Sequence, residues 1–183
     1  NGIKAPILVL GASNGDELEL CVKYDLHQTV FSAHTVFQLE SIAQRYSKKA
    51  YAHIKVNSGM NRIGICDTNE FRELLTVVKS CGNVVTDGIF THFATADEED
   101  TSGTEEQIRR FDEMLSIAEE CGIKFDYIHA CNTAGIMRHL CPKYNMVRLG
   151  IGLYGYYPSE YMKRVSNINI EPIAEFVTNI SAV

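Results

Sequence analysis

Hydrophobic positions along the chain fall into two alternating rhythms. Compact apolar runs at residues 6–10, 28–31, 50–56, 88–93, 127–130 and 146–149 predict strands. Between them, apolar residues return every three or four positions, as on one face of a helix. Two of these segments carry start and stop signals. Asp67-x-x-Glu70 precedes Phe71, Leu74, Leu75 and Val78, with Gly82 beyond; Ser102-x-x-Glu105 precedes Ile108, Phe111, Leu115 and Ala118, with Gly122 beyond. Each predicts a helix opened by a capping box and closed by glycine. Strand–helix alternation implies parallel strands joined by crossovers. Six such strands fit either an open doubly wound sheet or most of an eight-stranded barrel, which takes about 250 residues when complete. After Pro158 the pattern changes, and Glu171-Pro172-Ile173 with residues 176–183 reads as the opening of another strand-rich unit.

Composition narrows the partners. The 183 residues are 45% hydrophobic and 22% charged, ordinary for a globular chain. A net charge of −6 with no basic stripe argues against nucleic-acid binding. The longest apolar stretch, residues 5–12, is far shorter than the roughly 20 residues of a membrane-spanning helix, so no membrane partner is expected. The six cysteines form no C-x-x-C pair and no metal-ligand spacing; reduced thiols in small hydrophobic positions of a cytoplasmic protein, without a metal, are the expectation. The chain opens on Asn1-Gly2, like an internal segment of a longer polypeptide.

Candidate chemistry gathers at the carboxyl ends of the predicted strands, where parallel α/β folds bind ligands. Met146-Val-Arg-Leu-Gly-Ile-Gly-Leu-Tyr-Gly155 places Arg148 inside an apolar run and glycines directly after it. A buried guanidinium needs a partner, and glycine backbone lets N–H groups approach an anion. The alternative is a salt-bridged arginine before an ordinary turn. Period-two alternation puts His53, Lys55 and Asn57 on one face, inward in a barrel, and Ala52, Ile54 and Val56 on the other. Lys55 could equally be a strand-end lysine that snorkels to solvent. Arg62 follows in a glycine-punctuated loop, His92 ends another strand, and Cys131-Asn132-Thr133 offers an amide and a hydroxyl at a helix start. The acidic run 97–100 reads as a solvated loop.

His53-Ile-Lys-Val-Asn-Ser-Gly-Met-Asn-Arg-Ile-Gly64, Thr91-His-Phe-Ala-Thr-Ala-Asp97, His129-Ala-Cys-Asn-Thr133 and the 146–155 segment, in that order, resemble alanine racemase. Gly2-Ile-Lys-Ala-Pro-Ile-Leu-Val-Leu-Gly11 is similar to the third barrel strand of that family. The resemblance implies an α/β fold, an incomplete parallel (β/α)8 TIM-type barrel holding about strands three to eight. Residues 1–157 would form the partial N-terminal barrel, and 158–183 the start of the connection to a C-terminal β domain. It further implies a homodimeric isomerase that uses pyridoxal 5′-phosphate (PLP) to interconvert L-alanine and D-alanine for peptidoglycan precursors. Arg148 would donate to the cofactor's pyridine nitrogen, and His92 would hydrogen-bond Arg148. Thr133, where the family has serine, would hold the phosphate with the backbone of Gly150 and Ile151. Asn132 would line the same region. Arg62 would meet the phenolic oxygen and the substrate carboxylate, with Arg62 and His92 as the catalytic residues. Lys55 would be an N6-carboxylysine, because two buried cations repel and a carbamate gives Arg62 an anionic partner.

Two family bases are not in this sequence. The Schiff-base lysine, in a Lys-Ala-Asn-Ala-Tyr-Gly-like motif on the first strand, has no counterpart, and the tyrosine base belongs to the C-terminal domain. The expectation is a segment inactive by itself, self-associating through uncovered edges or completed by other pieces of its polypeptide. Alanine and serine are not distinguished as substrates. Two rival readings stand: Lys55 as the Schiff-base lysine of another PLP barrel, such as a basic amino-acid decarboxylase, and a non-catalytic phosphate- or PLP-binding barrel.

Overall fold

The computed structural model describes residues 2–141, 143–173, 175 and 177–179. Strands β1 (Leu8–Val9), β2 (His27–Val30), β3 (Ala50–Lys55), β4 (Val84–Phe90) and β5 (Tyr127–His129) form one sheet in that order, every pair parallel. The order never reverses. A doubly wound sheet needs a switch point to place helices on both faces, so sequential order selects the barrel. The sheet curls into an incomplete TIM-type half-barrel with helices outside.

Helices α1 (Gly15–Lys23), α2 (Ala33–Tyr46), α3 (Thr68–Ser80) and α4 (Ser102–Glu120) each follow a strand, and neighbouring helices pack against one another. Their apolar stripes, among them Leu18, Leu39, Phe71, Leu74 and Phe111, bury against the outward residues Ala52, Ile54, Val56 and Ile89. Each large side chain withdrawn this way contributes about 1.5–3 kcal/mol. Asp67 caps α3, accepting from the N–H groups of Asn69 and Glu70. Gly122 closes α4 with φ +74, a left-handed conformation that glycine takes without a Cβ penalty.

Several boundaries differ from the sequence pattern. β4 begins at Val84 rather than residue 88, because Val84 and Val85 already pair with β3. The sixth strand, expected at 146–149, is a single bridge from Met146 to His129: Arg148 turns its N–H to the Cys131 carbonyl, and the glycines end the pairing. No capping box forms at Ser102, which is the first helical residue; Thr101 precedes it and hydrogen-bonds Glu105 with its own hydroxyl. Cys21, Cys131 and Cys141 are buried, but Cys66 is exposed and Cys81 and Cys121 are half-buried. After α5 (Thr133–Met137), a 3-10 turn (Ile151–Tyr154) and α6 (Glu160–Val165), the described residues 166–173 contain no strand, and much of 176–183 lies outside the described residues. No described helix is long and apolar enough to cross a membrane.

The inner face matters most for function. Alternation brings His27 and Thr29, His53 and Lys55, Gly88 and Phe90, and Tyr127 and His129 to it. Asp87 breaks the rhythm. Ala52 pairs with Thr86 and His53 with Gly88, which leaves Asp87 as the extra residue of a β-bulge. Bulges re-aim side chains, and this one turns Asp87 towards His27 and His53.

Candidate functional site

Arg148 organises the carboxyl end of the half-barrel. Its Nη2 donates to the carbonyls of Thr91 (2.7 Å) and Ala130 (3.0 Å), the residues just past β4 and β5. Nη1 lies 2.7 Å from His129 Nδ1, and Nη2 lies 3.2 Å from His92 Nδ1. The guanidinium sits 5.2 Å over the Phe90 ring, which itself stacks on His129. Each of these partners is uncharged. Burial pulls the arginine pKa down to about 10, opposed by Cys131 and helped by Arg62, so the group remains a cation at neutral pH. The salt-bridged alternative is not what forms: carbonyls and imidazoles, not a carboxylate, hold Arg148.

Lys55 lies beneath it, 2% exposed. The loop after β3 folds back over this lysine, with Asn57 N–H donating to Ile65 and Ile65 N–H to Lys55. Gly64 permits that closure: it has φ +121, and a Cβ would stand 2.7 Å from Asn57 N. The ammonium donates to the Val56 carbonyl at 2.8 Å and faces the Phe90 ring at 5.1 Å. Burial first, then the charges of Arg148 and Arg62, bring its pKa down to about 7. Lys55 therefore does not snorkel; much of it is a neutral amine near neutrality. His92 falls to about 4 through burial and then Arg148, Arg62 and Lys55, so it stays neutral. Arg62 was expected buried and is exposed, at the rim, where it acts on these groups by charge through space. Among the described residues, every charge shifting Lys55 and His92 is a cation.

Beside this cluster the start of α5 meets a glycine-rich turn. Asn132 caps α5, accepting from Gly135 N–H at 3.0 Å, and Thr133 is the first helical residue. Gly152 N–H donates to Thr133 Oγ1 at 3.1 Å. A Cβ on Gly152 would lie 2.7 Å from Thr133 Cγ2, so the backbone approaches the hydroxyl as only glycine allows. Gly150 and Ile151 are exposed next to it. A hydroxyl and successive main-chain N–H groups suit a phosphate. The amide of Asn132 is committed to its cap and reaches the Phe93 carbonyl only at 3.5 Å.

The structure thus brings Lys55, His92 and Arg148 together, sets Arg62 at their rim, and gathers Thr133, Gly150 and Ile151 alongside. Sequence reasoning missed His129, the closer imidazole partner of Arg148. Alternation from Tyr127 along β5 was the available signal, because it sends His129 inward with Lys55.

Comparison with known proteins gives a consistent likeness. Residues 1–158 match the family described as "Alanine racemase, N-terminal domain". The chain is 38% identical to an alanine racemase of Macrococcus caseolyticus over 97% of its own length and 45% of the relative's. It is 35% identical to alanine racemase 2 of Bacillus subtilis over 100% of this chain and 47% of the relative. Among solved structures, an alanine racemase of Clostridium difficile in complex with cycloserine superposes with a TM-score of 0.87 at 36% identity, covering 93% of this chain and 47% of that one. An alanine racemase of Bacillus anthracis with bound L-Ala-P gives 0.87 at 35%, covering 93% and 44%. The chain spans just under half the length of the curated relatives it matches.

Proposed function

The chain belongs to the family of alanine racemase N-terminal domains, and from that premise we propose that it is the barrel portion of a PLP-dependent racemase that interconverts L-alanine and D-alanine. In this reading residues 1–157 are the partial barrel and 158–183 begin the passage to a C-terminal β domain. The whole enzyme is a cytoplasmic homodimer that supplies D-alanine for peptidoglycan. The observation that carries the proposal is the cationic mouth: Arg148 and Arg62 both bear on the buried Lys55, with no carboxylate among the described groups that shift it, next to the Thr133–Gly152 contact.

The donor set fits the cofactor. PLP, when bound, supplies an electron-withdrawing ring that makes the α-proton of an amino acid removable. Arg148 has donors alone, so it offers an N–H to the pyridine nitrogen and keeps that nitrogen unprotonated, which moderates the withdrawal. His92 and His129 hold the guanidinium in place. Thr133 and the peptide N–H groups of Gly150 and Ile151 would bind the phosphate, and Asn132 fixes the helix start at Thr133. Arg62, exposed at the rim, would meet the phenolic oxygen and the substrate carboxylate.

Lys55 takes a separate role. Its neutral amine attacks the carbon of carbon dioxide and loses a proton, giving a carbamate that faces Arg62 and Arg148 as an anion. Intact-protein mass and peptide mapping should find one added carboxyl on Lys55, and an unmodified amine contradicts it.

The deciding experiment uses the full-length gene product with added PLP, measuring D-alanine from L-alanine and, in parallel, D-serine from L-serine. Alanine turnover is expected, reduced at least about tenfold by Arg148→Lys, whose point charge lacks the planar fork. PLP binding without racemisation of either amino acid would favour a non-catalytic binding barrel instead.

A further inference from the structure

His27, His53 and Asp87 lie at the amino end of the barrel interior and have no part in the proposed chemistry. Their donor atoms all fall within 4.8 Å of one another, a spacing that could hold a metal ion. The Asp87 carboxylate is 3.2 Å from His27 Nδ1 and 3.3 Å from His53 Nε2. Its Oδ1 is buried and has no hydrogen-bond partner among the described residues, so His53 meets it by charge and proximity. The choice between a metal and a proton here is made at the opposite end of the barrel.

Arg148 carries only N–H donors. His129 Nδ1, 2.7 Å from Nη1, must therefore be the unprotonated nitrogen. The His129 proton then sits on Nε2, facing His53 Nδ1 at 3.0 Å. His53 Nδ1 must accept in turn, which puts its own proton on Nε2, against Asp87 Oδ1. His27 directs Nδ1 at the other carboxylate oxygen. A metal ligated by His53 Nε2 would need that nitrogen bare. The proton would move to Nδ1, His129 would have to accept on Nε2, and its Nδ1–H would meet Arg148 donor to donor. The guanidinium disfavours the metal.

We infer that Asp87 is a positioning residue for Arg148, acting through a one-way relay in which Arg148 donates to His129, His129 donates to His53, and the protonated Nε2 of His53 faces the Asp87 carboxylate at ion-pair distance, 3.3 Å. Two features of the fold serve it. The β-bulge turns Asp87 inward, where strict alternation would send it outward with Ile89. Gly88 clears room for the relay's middle ring, since a Cβ there would lie 2.3 Å from His53 Nδ1. The relay anchors the cationic mouth to an anion it does not touch. Its consequence for turnover rests on the proposed pyridine contact of Arg148, whereas its protonation pattern does not.

Ring-15N NMR of the histidines in the full-length gene product tests it. The expected pattern is Nε2–H on His129 and on His53, and Nδ1–H on His27, with or without PLP. A proton on His53 Nδ1, or a shift of the His27 and His53 nitrogens to metal-bound values on adding one equivalent of Zn2+, overturns the relay. In Asp87→Leu the His129 and His53 ring protons should exchange faster with solvent and kcat should fall about tenfold with KM unchanged, as for outer partners that orient a functional group. Asp87→Glu, which keeps a carboxylate, should recover most of that loss. Unaltered His129 signals in Asp87→Leu would also overturn it. Loss of PLP binding with the tautomers intact would instead remove the functional reading and leave the relay standing.

Discussion

The two ends of the barrel interior are built from similar side chains and reach opposite electrostatic outcomes. At the amino end, His27 and His53 flank Asp87, so imidazoles and a carboxylate stand at ion-pair distance. At the carboxyl end, Lys55 and Arg148 are held by neutral partners, Arg62 adds its charge from the rim, and no carboxylate among the described residues is hydrogen-bonded or ion-paired to them. Burying charge without a partner is costly. A fold that keeps such a surplus at the open end of its strands has left a place for an anion from outside. Under the proposed function, the open end is the one that binds.

Four outcomes would break or sharpen that contrast. The largest concerns pH. Lys55 has a folded pKa of about 7 against 10.5 for the free side chain. Between these values the unfolded chain binds more protons, so stability rises with pH across that window, and below it the burial cost is fully present. In buffers free of carbon dioxide, Lys55→Met should stabilise the protein at pH 6. That advantage should shrink by pH 10, by on the order of 4 kcal/mol. Urea unfolding at several pH values measures it, and a constant difference means the lysine is not held in an unpaired buried state. Next, Arg148→Leu strips the donor from the Thr91 and Ala130 carbonyls and from the proposed ring contact. Turnover should drop about 100-fold or more, as when a preorganised donor is lost.

Third, Gly88→Ala drives a methyl into His53 and should lower the urea midpoint through about 1–3 kcal/mol of overpacking, with a smaller loss of turnover passed through the relay and little change in ligand affinity. The smallest effect is at the open end. Gly152→Ala, pressed against Thr133, should weaken phosphate-ester binding about tenfold, close to 1.4 kcal/mol, with little change in stability. If Gly88→Ala impaired ligand affinity more than stability, or Gly152→Ala did the reverse, the division between the ends would be wrong.

Much of this architecture could be read from residue order. Strand–helix alternation predicted parallel pairing, and the period-two rhythm of 51–57 correctly sent His53 and Lys55 inward, because pleating is a local property. The sheet order, which decides between barrel and doubly wound fold, is non-local and had no signal in periodicity. The run 146–149 reads as a strand, yet Arg148 spends its N–H on Cys131 and the following glycines offer nothing to pair. Arg62 read as buried, but the glycine loop that carries it folds over Lys55 and leaves the guanidinium at the rim. Asp87 was hidden for a different reason. Its inward aim depends on a bulge of one residue, and alternation alone assigns it to the opposite face.

The pocket itself is tested most directly with pyridoxine 5′-phosphate, which has the ring nitrogen and phosphate of the cofactor but no aldehyde for a lysine to capture. Calorimetry on the full-length gene product should show it binding, with affinity reduced by Arg148→Leu and by Gly152→Ala and nearly lost for unphosphorylated pyridoxine. Equal binding of both compounds, or affinity indifferent to Arg148, would contradict a mouth built to hold that ring and its phosphate.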